Sequence, residues 1–206
     1  RVGNVSSPIF HVNIEYVDNW PHLGHIICDD LDDKYDILQR RKALVGQINN
    51  VLCYFCKLNS TIKNQLLYAY CYSLYGSVLW NLDHSCIDSV YSAWRSGQRR
   101  VWGLPFNSHS SLLPIISGAI PIQDELAKRF VSFAHSCLSS ESKLVRSVAS
   151  HAIRFNHMNS PFGRNVLHCC ARYQIVCDDF LSISRSFIVH PYWGRVAEGT
   201  WNAAEM

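Results

Sequence analysis

A chain of 206 residues, 48% hydrophobic and 12% aromatic, can bury enough apolar surface to offset its ordering entropy, which excludes an intrinsically disordered chain. No uncharged apolar run approaches the ~20 residues a bilayer helix needs, so no membrane contact is expected. A net charge of +3 is too small to argue for nucleic acid from the total, and nine Cys with no signal-peptide pattern fit reduced thiols in a cytoplasmic or nuclear chain better than a disulfide framework.

The chain opens at Arg1 in strand-like patterning, as a fragment of a longer protein would. Phe10, Val12, Ile14 and Tyr16 alternate with His11, Asn13 and Glu15, the period of a strand with one buried face. Asp18-Asn19 reads as punctuation, and the apolar stretch Leu23 to Ile27 as a second strand through Gly24, so residues 1–30 are expected to form a β-hairpin. Asp29, Asp30, Asp32 and Asp33 then place capping side chains and negative charge before a helix beginning near Lys34. In that helix Ile37, Leu38, Leu44, Val45, Ile48, Val51, Leu52 and Phe55 recur at spacings of three and four.

A break at Asn59-Ser60 makes Ser60 the expected cap of a second helix, with Ile62, Leu66, Leu67, Tyr70, Leu74 and Tyr75 as its apolar positions. A third helix is expected from Cys86 to Trp102, with Ile87, Val90, Tyr91, Trp94 and Val101 inward, stopped by Gly103-Leu104-Pro105. Each helix carries one apolar stripe that it cannot bury alone, so residues 31–106 are expected to pack as a three-helix bundle. Ser, Pro and Gly in 107–119 suggest a linker. Helical patterns over Asp124 to Leu138 and Leu144 to Phe155 suggest a second helical layer within 107–173. Periodicity fades from Pro161, and 174–206 reads as an irregular tail. The expected fold is mainly α, with an N-terminal hairpin.

Charge distribution supplies the first functional signal. Arg40, Arg41 and Lys42 lie on the first helix, and Arg95, Arg99 and Arg100 end the third beside Trp94 and Trp102. Arginine's planar fork suits phosphate, although solvated helix faces, with late-helix Arg favoured by the macrodipole, have the same composition. The acids of "IICDDLDD" superficially match the metal-holding Asp-Asp of a two-metal polymerase. They precede a helix instead of sitting between two apolar strands, and are read as capping and solvated. Cys53 and Cys56, with Cys71, His84, Cys86, His168, Cys169, Cys170 and Cys177, could in principle supply zinc ligands. The mid-helix position of the first pair favours small apolar side chains instead. No nucleophile elbow or phosphate loop is present.

At "WPHLGHIICDDLDDKYDILQRRKALVGQINNVLCYF" the chain resembles the region just after the polymerase palm of non-LTR (LINE-type) retrotransposon reverse transcriptases, where a Tyr-Leu-Gly-His-Ile-Ile-like hairpin leads through an Asp-rich segment to an Arg-Arg helix. Leu23, Gly24, His25, Ile26 and Ile27 match, while His22 replaces the usual aromatic. The likeness continues in order through "LLYAYCYSLYGSVLW", "AWRSGQRRVWGLP" and "LLPIISGAIPIQDELAKRFVSF" to "GRNVLHCC", over about residues 9–172.

The resemblance implies a primer-grip-like hairpin and a thumb-like bundle that position a duplex of RNA template and DNA primer. Leu23, Gly24 and His25 would support the primer end. Arg40, Arg41 and Lys42 would face duplex phosphates, and Arg95, Arg99 and Arg100 the duplex or the template's exit path. The palm, with its catalytic Asp residues and Mg, would lie upstream as a partner in the same polyprotein, so this fragment is expected to hold no cofactor and to lack polymerase activity. With roughly four to six phosphate contacts, affinity would fall a few hundred-fold between about 50 and 200 mM salt. The alternatives are a zinc-stabilised module and a helical protein-interaction module anchored by exposed Trp80, Trp94 and Trp102.

Overall fold

The computed structural model of the chain describes residues 5–6, 13–14, 16–72, 74–155 and 159–174. Its architecture is mainly helical behind an N-terminal antiparallel hairpin. Strand β1 (Val5–Ser6) pairs with β2 (Asn13–Ile14), and β3 (Asn19–His22) pairs with β4 (His25–Cys28). Most of the alternating run from Phe10 to Glu15 lies outside the described residues.

The hairpin turns at Leu23-Gly24, not at Asp18-Asn19. His22 opposes His25, leaving a two-residue loop whose members have φ of +48° and +81°. Both angles positive is the signature of the type I′ turn, whose twist suits a tight hairpin. Glycine meets that demand without strain, whereas Leu23 adopts it with its side chain turned out to solvent. Asn19 and Cys28 are the last paired residues, and the Asp29 N–H extends the pairing to the Asp18 carbonyl at 3.0 Å.

Helix α1 (Lys34–Tyr54) starts where the acidic segment predicts. The Lys34 N–H donates to Asp32 Oδ1 at 2.8 Å, which holds the Asp32 carboxyl below its ordinary range. Asp33, at the cap position, is used differently: its carboxylate accepts the Asn81 N–H at 2.7 Å, and partial burial pushes its pKa up. Ile37, Leu44, Ile48 and Val51 are buried.

Helix α2 (Ser60–Cys71) is capped by Asn59, whose side chain accepts the Ile62 N–H at 2.9 Å, and not by Ser60. It ends before Leu74 and Tyr75, which belong to a turn through Gly76 into a short 3-10 segment, Ser77–Leu79. Helix α3 (Ile87–Val101) buries Ile87, Val90, Tyr91, Trp94 and Val101 as its pattern predicts. Arg41 meets Ser89, Ile48 meets Gly97, and Asn49 meets Arg100, so α1 and α3 run in the same direction. At their crossing, a methyl group on Gly97 would come within 2.7 Å of Ile48 Cδ1, which is why this position carries no side chain.

The segment expected as a linker is docked. Helix α4 (Leu112–Ser117) buries Leu113 completely, and the Ser117 carbonyl accepts Asn64 Nδ2 from α2 at 2.9 Å. Its Pro114 falls in the first turn, where the missing N–H has no intrahelical partner to lose. Helices α5 (Ile122–Leu138) and α6 (Lys143–Phe155) follow the predicted pattern. Helix α7 (Pro161–Tyr173) emerges where periodicity faded: Ser160 accepts the Gly163 N–H at 2.8 Å, Pro161 occupies the first helical position, and Val166, Cys169 and Cys170 are buried. One core cluster runs from Ile37 on α1 to Val166 and Cys170 on α7, so the bundle and the second layer share their interior.

Candidate nucleic-acid interface

The hairpin turn is fastened to the helices by a buried carboxylate. Asp36, in the first turn of α1, is fully buried. Its Oδ1 accepts the Ile26 N–H from β4 at 3.1 Å, and its Oδ2 accepts the Trp80 indole N–H at 2.7 Å. His25 Nδ1 lies 3.0 Å from Oδ2, and Arg40 Nε, one helical turn on, lies 4.0 Å from Oδ1. A carboxylate removed from water is tolerated only where donors and opposite charge replace its hydration, as they do here.

Arg40 works as a latch on the same turn. Its guanidinium donates to the Gly24 carbonyl and lies over the Tyr75 ring, 5.8 Å from the centroid. Two glycine turns meet at this point. A Cβ at Gly24 would sit 3.6 Å from the Arg40 guanidinium and 3.9 Å from the Tyr75 ring. A Cβ at Gly76, whose φ is +80°, would sit 2.9 Å from His25 Nδ1. His25 is largely enclosed, while Leu23 at the tip is 76% exposed.

The basic residues do not form one patch. Successive helical residues point about 100° apart, so neighbours in sequence diverge on the surface. Arg40 faces the hairpin. Arg41 Nε donates to the Ser89 carbonyl at 3.2 Å, and Arg100 donates to Asn49 Oδ1 at 2.6 Å, both across the seam between α1 and α3. Lys42 lies two turns before Asn49 on the same stripe of α1 and is exposed, without an ion pair or hydrogen bond among the described residues. This flank therefore gathers Arg41, Lys42 and Arg100. Arg95 and Arg99 lie on another flank of α3. Arg99 braces the loop before α4 through the Ser108 carbonyl, at 2.8 and 3.1 Å, and Ser110 Oγ, at 3.1 Å. Arg95 is half-buried and has no such partner among the described residues.

Sequence reasoning missed Asp36 and Asn165, and gave Tyr75 and Trp80 other roles, as an apolar helix position and an exposed anchor. A signal existed for the first two. Asp36 precedes Leu44 and Ile48 on the buried stripe at multiples of four, and Asn165 adjoins Val166 and Cys169 on the buried face of α7. A polar side chain on an apolar stripe requires a polar partner in the interior. Trp80 and Trp94 are buried core residues, and Trp102 packs against that core, so they are not the exposed anchors that a protein-interaction module would present. Cys53 and Cys56 are exposed, Cys86 is half-buried, Cys71, Cys169 and Cys170 are buried, and Cys177 lies outside the described residues. Among the described residues no three His, Cys, Asp or Glu side chains converge as a metal site. No helix among them is long and apolar enough to cross a membrane. No family model, curated protein or solved structure matches the chain.

Proposed function

We propose that the chain grips a template-primer duplex as the primer-grip hairpin and thumb-like helices of a non-LTR retrotransposon reverse transcriptase, without supplying the carboxylates that make the bond. The observation that carries this reading is the fastening of the Leu23-Gly24 turn to α1 through Arg40 and Asp36. A tight, protruding backbone turn held against a helix bundle suits the placement of a primer end, where loss of even a small part of the orientation slows a polymerase strongly. Gly24 leaves its backbone open to close approach.

The roles of the cations follow from their partners. Arg40 acts on the hairpin, Arg99 on its own loop and Arg41 on the Ser89 carbonyl, so phosphate contacts fall to Lys42 and Arg95, which have no such partner among the described residues, and to Arg100, whose bond to Asn49 lies at the surface. Three such contacts correspond to a fall in affinity of about 40-fold between about 50 and 200 mM salt. The test is fluorescence anisotropy of the 206-residue chain with a labelled RNA-DNA hybrid across that range. A steep linear dependence of log affinity on log salt is expected, and a flat response contradicts the proposal. Catalysis belongs to an upstream palm on this reading. Nucleotide incorporation on a primed RNA template by this chain alone would contradict it as well.

A further inference from the structure

We infer that Tyr75 is a stacking platform for an unpaired nucleobase at the primer end, a role that rests on the duplex-gripping function proposed above. Tyr75 is 57% exposed although its surroundings hold it in place. Gly24 of the hairpin turn faces it, such that a Cβ there would lie 3.9 Å from the ring, the Arg40 guanidinium lies over it, and Gly76 follows it in a left-handed turn that no bulkier residue could adopt without meeting His25. Arg40 is in turn fixed by the Gly24 carbonyl and by its proximity to Asp36. The Tyr75 hydroxyl makes no hydrogen bond among the described residues, so the side chain is not positioned by its polar end.

An exposed aromatic ring that contributes little to the core, fixed beside a cation and a glycine turn, has the chemistry of a base-stacking surface. Every nucleobase presents a π face, and an aromatic side chain with an adjacent guanidinium binds one with little sequence preference. Held in advance, the ring loses little conformational freedom on binding. The neighbouring surface agrees: Leu23 is exposed at the tip of the hairpin, so an unpaired nucleotide leaving the duplex end would meet apolar and aromatic surface. A fully paired blunt end offers only its terminal pair.

The experiment compares two RNA-DNA hybrids, one blunt and one ending in two unpaired nucleotides that include 2-aminopurine, bound to the 206-residue chain. Tyr75→Ala is expected to weaken binding of the overhanging probe about tenfold and to leave the blunt probe unchanged. Tyr75→Phe is expected to bind both as the wild type does, and to keep the 2-aminopurine quenching that Tyr75→Ala loses. Tyr75→Leu retains bulk against Gly24 and Arg40 without a π face, so its loss of quenching at unchanged thermal stability separates stacking from packing. Equal weakening of both probes, or none with either, overturns the inference while leaving duplex gripping intact. Failure of the wild type to bind either probe overturns both.

Discussion

The indole N–H of Trp80 donates to Oδ2 of Asp36 at 2.7 Å, and both residues are fully buried. The Trp80 carbonyl accepts Asn165 Nδ2 at 2.7 Å, and Asn165 Oδ1 accepts the Leu82 N–H at 2.8 Å. A hydrogen-bonded path therefore runs from Ile26 in β4 through α1 and the 3-10 segment to α7. Each group on it is satisfied by another, and removing one strands its partner away from water.

Asp36→Ala leaves the Ile26 and Trp80 N–H groups without acceptors. A loss of about 2–5 kcal/mol is expected from urea denaturation. Asp36→Asn keeps one acceptor oxygen and should lose roughly half as much. A change within measurement error for Asp36→Ala would mean that water replaces the carboxylate.

Gly97→Ala should cost about 1–3 kcal/mol, because its new methyl group would overlap Ile48 Cδ1 in a filled core. The added group has one principal obstacle, so Ile48→Val, which removes Cδ1, should recover part of the loss when the two changes are combined. A double-mutant cycle measures this coupling, and simple additivity would place the strain elsewhere.

The cations should separate by role. Lys42→Ala and Arg95→Ala are each expected to lower the slope of log affinity against log salt by about 1 without altering stability. Arg99→Ala should loosen the loop before α4 and leave the slope unchanged, since its guanidinium is occupied by Ser108 and Ser110. Arg40→Ala should lower stability as well as affinity, because it releases the hairpin turn. Salt titrations alongside urea melts would distinguish the three patterns.

Burial lowers the pKa of His168 below its ordinary 6.5; nearby Arg172 acts the same way, and Asp83, 3.8 Å away, only partly opposes it. The unfolded chain therefore takes up this proton first as the pH falls. Stability tied to neutral His168 is complete above pH 6.5 and declines on acidification through that value, levelling off below the folded-state pKa. Between about pH 7.5 and pH 5.5 the wild type should lose more stability than His168→Gln. Parallel losses would remove this residue from the pH dependence.

Thiol labelling should follow exposure. Cys53 and Cys56 are exposed and should alkylate within minutes in the native protein. Burial pushes Cys71 up to about 11 and Cys169 up to about 12, so both should react only after unfolding. Mass spectrometry of pulse-alkylated peptides checks the order, and early modification of Cys169 would show that α7 opens independently.

Local pattern made much of the helical fold legible. Helix α3 could be read from Ile87, Val90, Tyr91, Trp94 and Val101 because one face of it is buried along its whole length. Helix α4 escaped because six residues hold too little periodicity, and its place is set by Leu113 reaching the core and by Asn64. The signal for α7 was punctuation, Ser160-Pro161, which the fading hydrophobic period obscured. The turn was placed too early because Asp18-Asn19 has favourable turn chemistry, yet the docking of Gly24 on Arg40 and of Ile26 on Asp36 fixes the register. Asp36 itself lay among other acids, and its place on the Leu44-Ile48 stripe marked it for burial without naming its tertiary partners Ile26, His25 and Trp80.

The shared interior makes the two helical layers mutually dependent. A protease cut in the exposed loop near Phe106 would not release a free-standing N-terminal half. Trp80 and Leu82 would lose Asn165, and α3 would present bare apolar surface where α4 and α5 had packed. The nicked halves should stay associated and melt together in one transition.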